Sequence, residues 1–265
     1  FKKLNLNSDQ VKIIRLIDKY KPKYIINFAA QGMVNESWKD PKNWYQTNLM
    51  SIIDLTEKLK NKSYLKKFIQ FSTPEVYGNT SKKWIYENYN FNPSTPYASS
   101  RAASDRHLIN IFEQSKFPII FTRAANVYGP HQDLYRIIPK TICHLLLKKK
   151  LYLDGNGESY RSFIHIRDVS SALYLILKKG KTGETYHIST NDIISIKNLT
   201  KKILNLVNKN YGQLIIPIKK DRLNKDKYYM LNSKKLRNLG WKNKISLEKG
   251  IFETYQWIHK KKCIW

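Results

Sequence analysis

Short apolar runs alternate with longer amphipathic stretches through the first half of the chain. The runs predict buried strands at residues 24–30, 68–72 and 117–122, because each is only a few residues long and rich in Ile and Phe. Apolar residues at helical spacing predict helices at residues 44–59 and 96–112. Another helix is predicted before the first strand, from the apolar residues Val11, Ile14, Leu16 and Ile17. This alternation is typical of an α/β protein in which helices connect the strands of a parallel sheet.

The pattern loosens after Gly129-Pro130, and a smaller α+β lobe is predicted from about His131 onward. Its helices are predicted at residues 137–149, 168–178, 196–208 and 247–259. We therefore expect two domains. Residues 1–130, with returning segments near 160–190, form the first, and residues 131–265 form most of the second.

Composition and charge exclude several classes of protein. Hydrophobic residues make up 42% of the 265 residues, enough for a sizeable core. The only cysteines, Cys143 and Cys263, lie far apart, so neither a disulfide framework nor a cysteine-rich metal site is predicted, and a cytoplasmic location is expected. No apolar run reaches the roughly 20 residues that span a bilayer. The net charge of +28 comes from lysines spread along the whole chain, which favours solvated surfaces over a specific nucleic-acid site.

Three sets of polar residues fall where a parallel sheet binds ligands. Residues 72–78 (STPEVYG) follow a predicted strand, and the carboxyl ends of parallel strands form the ligand crevice. Tyr97 and Arg101 are one helical turn apart, and a fixed cation beside a phenol favours the phenolate, a usable base. Residues 123–130 and 155–165 mix Gly, Asn and Arg, which suits a diphosphate. Each set alone is also explained by turn chemistry, a surface pair or an ordinary loop, so their order carries the prediction.

That order resembles the extended short-chain dehydrogenase/reductases, the NAD-dependent epimerase/dehydratase family, and within it the nucleotide-sugar 4,6-dehydratases that act on dTDP-glucose. Residues 27–31 (NFAAQ) resemble the family's His-Leu-Ala-Ala segment, and residues 72–78 its Ser-Thr-Asp-Glu-Val-Tyr-Gly segment. Residues 97–101 are similar to Tyr-x-x-x-Lys, and residues 126–130 (NVYGP) to Asn-Asn-Tyr-Gly-Pro. Residues 221–226 and 239–241 resemble the family's late Asp-Arg and Leu-Gly-Trp segments.

The resemblance implies a doubly wound, Rossmann-like NAD-binding domain and a C-terminal substrate lobe. It implies an NAD-dependent 4,6-dehydratase, a lyase of deoxysugar and surface-polysaccharide biosynthesis, with NAD rather than NADP as cofactor. A nucleotide-diphosphate sugar is the implied ligand, and a homodimer the implied assembly. The implied catalytic residues are Thr73, Glu75, Tyr97 and Arg101. The implied cofactor-binding residues are Ala29, Ala30, Gln31, Asn48, Ser72, Tyr97 and Arg101, and the implied substrate-binding residues are Asn126, Arg161 and Arg222.

The chain departs from the family pattern in three places. The opening strand and glycine-rich loop, the main anchor for the cofactor pyrophosphate, are not in the sequence, so we expect an N-terminally truncated fold. Arg101 replaces the family's lysine, which keeps the charge but changes its geometry. Pro74 replaces the dehydratase aspartate and cannot donate a proton, while Glu75 is retained.

Other functions fit parts of the same pattern. A nucleotide-sugar 4-epimerase needs Thr73, Tyr97 and Arg101 but no base at Glu75. A UDP-glucuronate decarboxylase needs a further cation for the sugar carboxylate. A non-catalytic, basic binding protein on this scaffold would bind nucleic acid in a salt-sensitive way and no nicotinamide. The histidines are scattered over different predicted elements, so no metal site is predicted.

Overall fold

The structure, a computed structural model, describes residues 1–80, 82–220, 228 and 230–261. The chain divides into two compact units. The first comprises Phe1–Asn79, Tyr86–Ala124 and Tyr174–His187, and the second comprises Thr80–Ile85, Ala125–Leu173 and Ile188–Trp265.

Helices and strands alternate along the described part of the chain. The strands are β1 (Tyr24–Asn27), β2 (Lys67–Ser72), β3 (Trp84–Ile85), β4 (Ile119–Ala124), β5 (Asn126–Tyr128), β6 (Leu151–Asp154), β7 (Tyr160–His165), β8 (Thr185–Ile188), β9 (Ile193–Ser195), β10 (Ile215–Ile218) and β11 (Met230–Leu231). The α-helices are α1 (Gln10–Tyr20), α2 (Pro41–Tyr45), α3 (Ser51–Leu59), α4 (Pro96–Ser115), α5 (Ile137–Leu146), α6 (Ile166–Lys179), α7 (Ile196–Val207), α8 (Lys234–Asn238) and α9 (Leu247–Lys261).

The first unit is built on a sheet with the strand order β1-β2-β4-β8. Strands β1 and β4 both pair with β2 in parallel. Side chains of α3 and α4 pack with those of β2 and β4 in one apolar core, which α1 covers through Ile13, Ile14 and Ile17. The predicted Rossmann-like α/β fold is confirmed by this sheet and its helices.

The second unit contains smaller sheets. Strand β7 pairs in parallel with β5 and antiparallel with β9, and β6 pairs in parallel with β10. Helices α5, α7 and α9 share an apolar core with β5 and β7, which includes Ile142, Phe163, Leu199 and Ile251.

Several sequence predictions were wrong in detail, and four of them have a local reason. The first strand ends at Asn27, whose Oδ1 accepts the Ala29 backbone N–H and turns the chain. The strand predicted at residues 117–122 begins at Ile119, because the preceding proline has no N–H for the sheet. Val11 is exposed, and Ile13 instead contacts the core. Helix α5 ends at Leu146, before Lys148 with its left-handed φ of 53°.

Candidate active site

The ends of two neighbouring strands begin the site in the first unit. Strands β1 and β2 are parallel, so their last residues, Asn27 and Ser72, lie at the same edge of the sheet. Asn27 Nδ2 donates to Gln70 Oε1 at 2.8 Å, and the loop that carries Ala29, Ala30 and Gln31 follows directly. The structure therefore brings these three predicted cofactor residues to the carboxyl edge of the sheet.

Thr73 and Glu75 form a pair immediately after β2. Thr73 caps the short 3-10 helix Pro74–Tyr77, and Pro74 suits the first helical position because its missing N–H would have no partner there. The Thr73 hydroxyl donates to the Glu75 carboxylate and accepts the Glu75 backbone N–H at 3.4 Å. Thr73 is buried and Glu75 is half-buried. Two predicted catalytic residues are thus in direct contact.

Tyr97 and Arg101 lie in the first two turns of α4, which packs against the 3-10 helix Pro74–Tyr77. Thr95 caps α4 by accepting the Ala98 N–H at 3.1 Å. Arg101 is 1% exposed, and its Nη2 donates to the Phe71 carbonyl at 2.5 Å. Its Nε and Nη1 have no hydrogen-bond partner within the described chain. Since buried donors are normally paired, these two suit a bound ligand rich in oxygen atoms.

Asn48 connects the β1 loop to α4. It lies fully buried in a π-helical segment, Gln46–Met50, between α2 and α3. Its Oδ1 accepts the Gln31 N–H at 2.7 Å, while Nδ2 donates to the Gln31 carbonyl at 3.1 Å and to Ser100 Oγ at 3.0 Å. This segment was predicted as a plain helix, and π-segments of this kind often occur at functional sites.

Sequence reasoning missed a buried polar network behind the Thr73–Glu75 pair. Arg123 Nη2 donates to Asp105 Oδ2 at 2.8 Å, and Ser72 Oγ donates to the same oxygen at 2.6 Å. Arg123 Nη1 donates to the Tyr77 hydroxyl at 2.7 Å, and that hydroxyl lies 2.7 Å from His187 Nε2. The signal was present in the sequence, because a charged residue inside a buried strand demands a buried partner.

The same network controls the charges of its members. Burial raises the pKa of Tyr77 to about 12, although the nearby Arg123 acts in the opposite direction. Burial disfavours the charge of Arg123, but Asp105 and Tyr77 together outweigh the effect of burial and raise the pKa of the guanidinium above its ordinary value. The network therefore holds a neutral phenol beside an ion pair.

The second unit carries two of the predicted substrate residues on adjacent strands. Asn126 of β5 is the register partner of Phe163 in β7, and Arg161 lies two residues before Phe163. Strand alternation places these three residues on one face of the sheet. Arg161 is buried, and its Nη1 donates to the Tyr160 carbonyl at 2.7 Å. The third predicted substrate residue, Arg222, lies outside the described residues.

A metal site and a membrane span are both absent from the described residues. No group of three or more His, Cys, Asp and Glu side chains there could hold a metal ion. No helix within the same ranges has the length and apolar character needed to cross a membrane.

A parallel sheet with a threonine at a strand end and a tyrosine and a cation one turn apart on the neighbouring helix defines the class of short-chain dehydrogenase/reductases. The chain belongs to the GDP-mannose 4,6 dehydratase family, whose sequence model matches residues 3–254. The resemblance inferred from the ordered motifs is thereby confirmed.

Curated relatives and solved structures agree with this assignment. The chain is 34% identical to human dTDP-D-glucose 4,6-dehydratase over 249 residues, which are 92% of the chain and 71% of the relative. It is 31% identical to Bacillus anthracis dTDP-glucose 4,6-dehydratase, solved in complex with NAD, with a TM-score of 0.90 over 100% of this chain and 81% of that one. A UDP-glucose 4-epimerase from Thermotoga maritima, solved with UDP-glucose, has a TM-score of 0.89 and 26% identity over 99% of this chain and 85% of that one.

Proposed function

We propose that the protein is an NAD-dependent nucleotide-sugar 4,6-dehydratase that converts an NDP-hexose to the NDP-4-keto-6-deoxyhexose. The contact between Thr73 and Glu75 at the end of β2 carries this proposal. It sets the Glu75 carboxylate beside the Thr73 hydroxyl, which is needed for the oxidation at C4 of the sugar. Tyr97 and Arg101 lie in the same unit. The dehydratases among the relatives support the same reaction.

NAD would be held by Ala29, Ala30, Gln31, Asn48, Ser72, Tyr97 and Arg101. The buried Nε and Nη1 of Arg101 fit a ligand with ribose and phosphate oxygens, and Asn48 fixes both backbone polar groups of Gln31 in the adjoining loop. The NAD in the Bacillus anthracis structure supports NAD as the cofactor. When bound, NAD supplies a hydride acceptor at C4 and a hydride donor at C6 of the sugar.

The first half of the reaction needs a base and a hydrogen-bond donor at the sugar 4-hydroxyl. Tyr97 takes the proton of that hydroxyl, with the Arg101 cation favouring the phenolate, and Thr73 hydrogen-bonds the same oxygen. The oxidised C4 acidifies the proton on C5, which Glu75 removes. Glu75 then gives this proton to the departing 6-hydroxyl, so that water leaves even though Pro74 replaces the usual aspartate. Glu75, protonated again from solvent, then returns a proton to C5, and Tyr97 releases the proton of the 4-hydroxyl to solvent, which completes the NDP-4-keto-6-deoxyhexose.

The substrate's nucleotide and diphosphate would contact residues outside this catalytic set. Arg161 supplies a buried cation for a diphosphate, and Asn126 a polar group on the same face of its sheet. Arg222 remains a sequence prediction for the same role. The cytoplasmic location remains a prediction from the cysteine content, and the homodimer and the part played in surface-polysaccharide synthesis remain predictions of the resemblance.

The experiment that tests the function is to incubate the full-length protein and NAD with a panel of NDP-hexoses and to determine product mass and structure. Loss of one water with a 4-ketone supports the dehydratase. An unchanged mass with inverted C4 supports the 4-epimerase instead, which the similarity to the Thermotoga maritima enzyme keeps as the second candidate.

A further inference from the structure

The buried ion pair of Asp105 and Arg123 is hydrogen-bonded to both ends of the segment that carries Thr73 and Glu75. We propose that Asp105 and Arg123 are positioning residues that hold this catalytic segment from behind, through Ser72 at its start and Tyr77 at its end. The four residues are called the clamp below. The proposal rests on the dehydratase function proposed above, because it concerns the placement of Glu75.

The bonds of the clamp leave little freedom to the segment between them. Ser72 Oγ donates to Asp105 Oδ2 at 2.6 Å, and Arg123 Nη1 donates to the Tyr77 hydroxyl at 2.7 Å. The two anchors are themselves joined at 2.8 Å, with side chains that are 0% and 2% exposed. Only Thr73, Pro74, Glu75 and Val76 separate the clamped positions. A shift of Asp105 or Arg123 would therefore be transmitted to the Thr73–Glu75 pair.

Tyr77 is held on more than one side. The Arg123 guanidinium lies 4.9 Å from the centre of the Tyr77 ring and 5.0 Å from that of Phe91. The Tyr77 hydroxyl, which accepts from Arg123, also forms a hydrogen bond of 2.7 Å with His187 Nε2. Tyr77 is thus fixed by its ring and by two hydrogen bonds of its hydroxyl.

An ion pair that serves only stability would not need the hydrogen bonds to Ser72 and Tyr77.

Two substitutions distinguish a positioning role of the ion pair from a purely stabilising one, because each removes one hydrogen bond to the segment and leaves Asp105 and Arg123 intact. Ser72→Ala frees the start of the segment, and Tyr77→Phe frees its end. Matched controls lie in the same unit. Ser104→Ala removes a fully buried hydroxyl with no hydrogen-bond partner within the described chain, and Tyr186→Phe removes a buried phenol that accepts the Lys181 N–H at 3.0 Å.

The test compares kinetics with NAD and the NDP-hexose that wild type converts. Misplaced catalytic groups cost turnover, so each clamp variant should lower kcat by about tenfold. At saturating NAD, which compensates for any loss of the Ser72 contact to the cofactor, the KM for the NDP-hexose should stay within about twofold of wild type. The kinetic isotope effect with substrate deuterated at C5 should rise, since proton removal by Glu75 becomes the slow step. The two controls should keep the wild-type kcat and isotope effect.

A second measurement shows whether the clamp acts through Glu75. In a Glu75→Gln background, Tyr77→Phe should cause no further loss of the residual kcat, because residues that act through one another are not additive. Full additivity, or control variants that lose as much kcat as the clamp variants, would overturn the positioning role while leaving the dehydratase intact. A wild type that eliminates no water from any NDP-hexose would overturn the proposed function, and the clamp's role with it.

Discussion

Arg101 and Phe71 are joined by a hydrogen bond of 2.5 Å from Nη2 to the backbone carbonyl, which ties the helix of Tyr97 to the central strand β2. The bond leaves the remaining donors of a buried guanidinium for a ligand. Arg101 therefore combines two tasks, a structural bond to the sheet and a fixed positive charge near the start of α4.

Two substitutions of Arg101 should distinguish the effect of its positive charge on activity from the effect of its planar guanidinium geometry. Arg101→Gln removes the cation that favours the Tyr97 phenolate and should lower kcat/KM by about 100-fold. Arg101→Lys keeps the charge but loses the planar fork, so its loss should stay within about tenfold. Arg106→Gln is the matched control, because Arg106 lies on the same helix and is exposed. Equal activity of Arg101→Gln and Arg106→Gln would show that the charge of Arg101 has no catalytic part.

Asn48→Ala should weaken NAD binding while leaving the fold intact. The substitution removes two hydrogen bonds to the backbone of Gln31, of 2.7 and 3.1 Å, and frees the predicted cofactor loop. We expect the Kd for NAD to rise by about tenfold, the amount that corresponds to about 1.4 kcal/mol. Titration calorimetry measures it directly. Asn43→Ala, at an exposed position of α2, should bind NAD as wild type does, and a wild-type Kd in Asn48→Ala would contradict the role given to the loop.

Arg123→Met should destabilise the protein strongly. It leaves the buried Asp105 carboxylate without its cation, and breaking a buried pair from one side costs about 3–5 kcal/mol. Lys60→Met breaks the exposed Lys60–Glu57 pair and should change the free energy of unfolding by less than about 1 kcal/mol. Urea denaturation compares the two. A similar small change in both variants would mean that Asp105 finds another partner.

Acid should destabilise the second unit through His165. Burial lowers the pKa of this imidazole, and the nearby Arg167 cation lowers it further. Glu253, 3.5 Å from Nε2, and Asp168 act to raise the pKa, but the lowering effects prevail. The folded state thus binds this proton less readily than the unfolded chain, whose histidines titrate at about 6.5. The contribution of His165 to the free energy of unfolding is therefore present above about pH 6.5 and is lost as the pH falls below this value.

His165→Asn should therefore show a shallower loss of unfolding free energy below pH 6.5 than wild type does. The control is His131→Asn, because His131 is exposed and its left-handed φ of 70° is one that asparagine adopts readily. This control should keep the wild-type pH dependence. Identical pH profiles for wild type and His165→Asn would exclude His165 as the source.

The fold was predictable from local patterns, the catalytic residues came from the resemblance and stay a prediction, and the buried network beside them was not predicted. Residues 72–78 and the spacing of Tyr97 and Arg101 could be interpreted within single elements, because strand ends and helical turns are short-range features. Arg123 and Tyr77 are 46 residues apart, and Tyr77 and His187 are 110 apart, so their contacts depend on how the elements pack. The π-segment around Asn48 escaped prediction for a related reason. Its apolar spacing fits an ordinary helix, and what distinguishes it is backbone bonding over five residues, from the Ser51 N–H to the Gln46 carbonyl.

The central claim is that Glu75 is the base that removes the C5 proton during water elimination. The most direct measurement is turnover of the NDP-hexose in D₂O by wild type and by Glu75→Gln, followed by mass and NMR analysis of the product. The account predicts that wild-type product has lost one water and carries deuterium at C5, and that Glu75→Gln forms less than about 1% as much. Wild-type rates of the same deuterated product from Glu75→Gln would contradict the account.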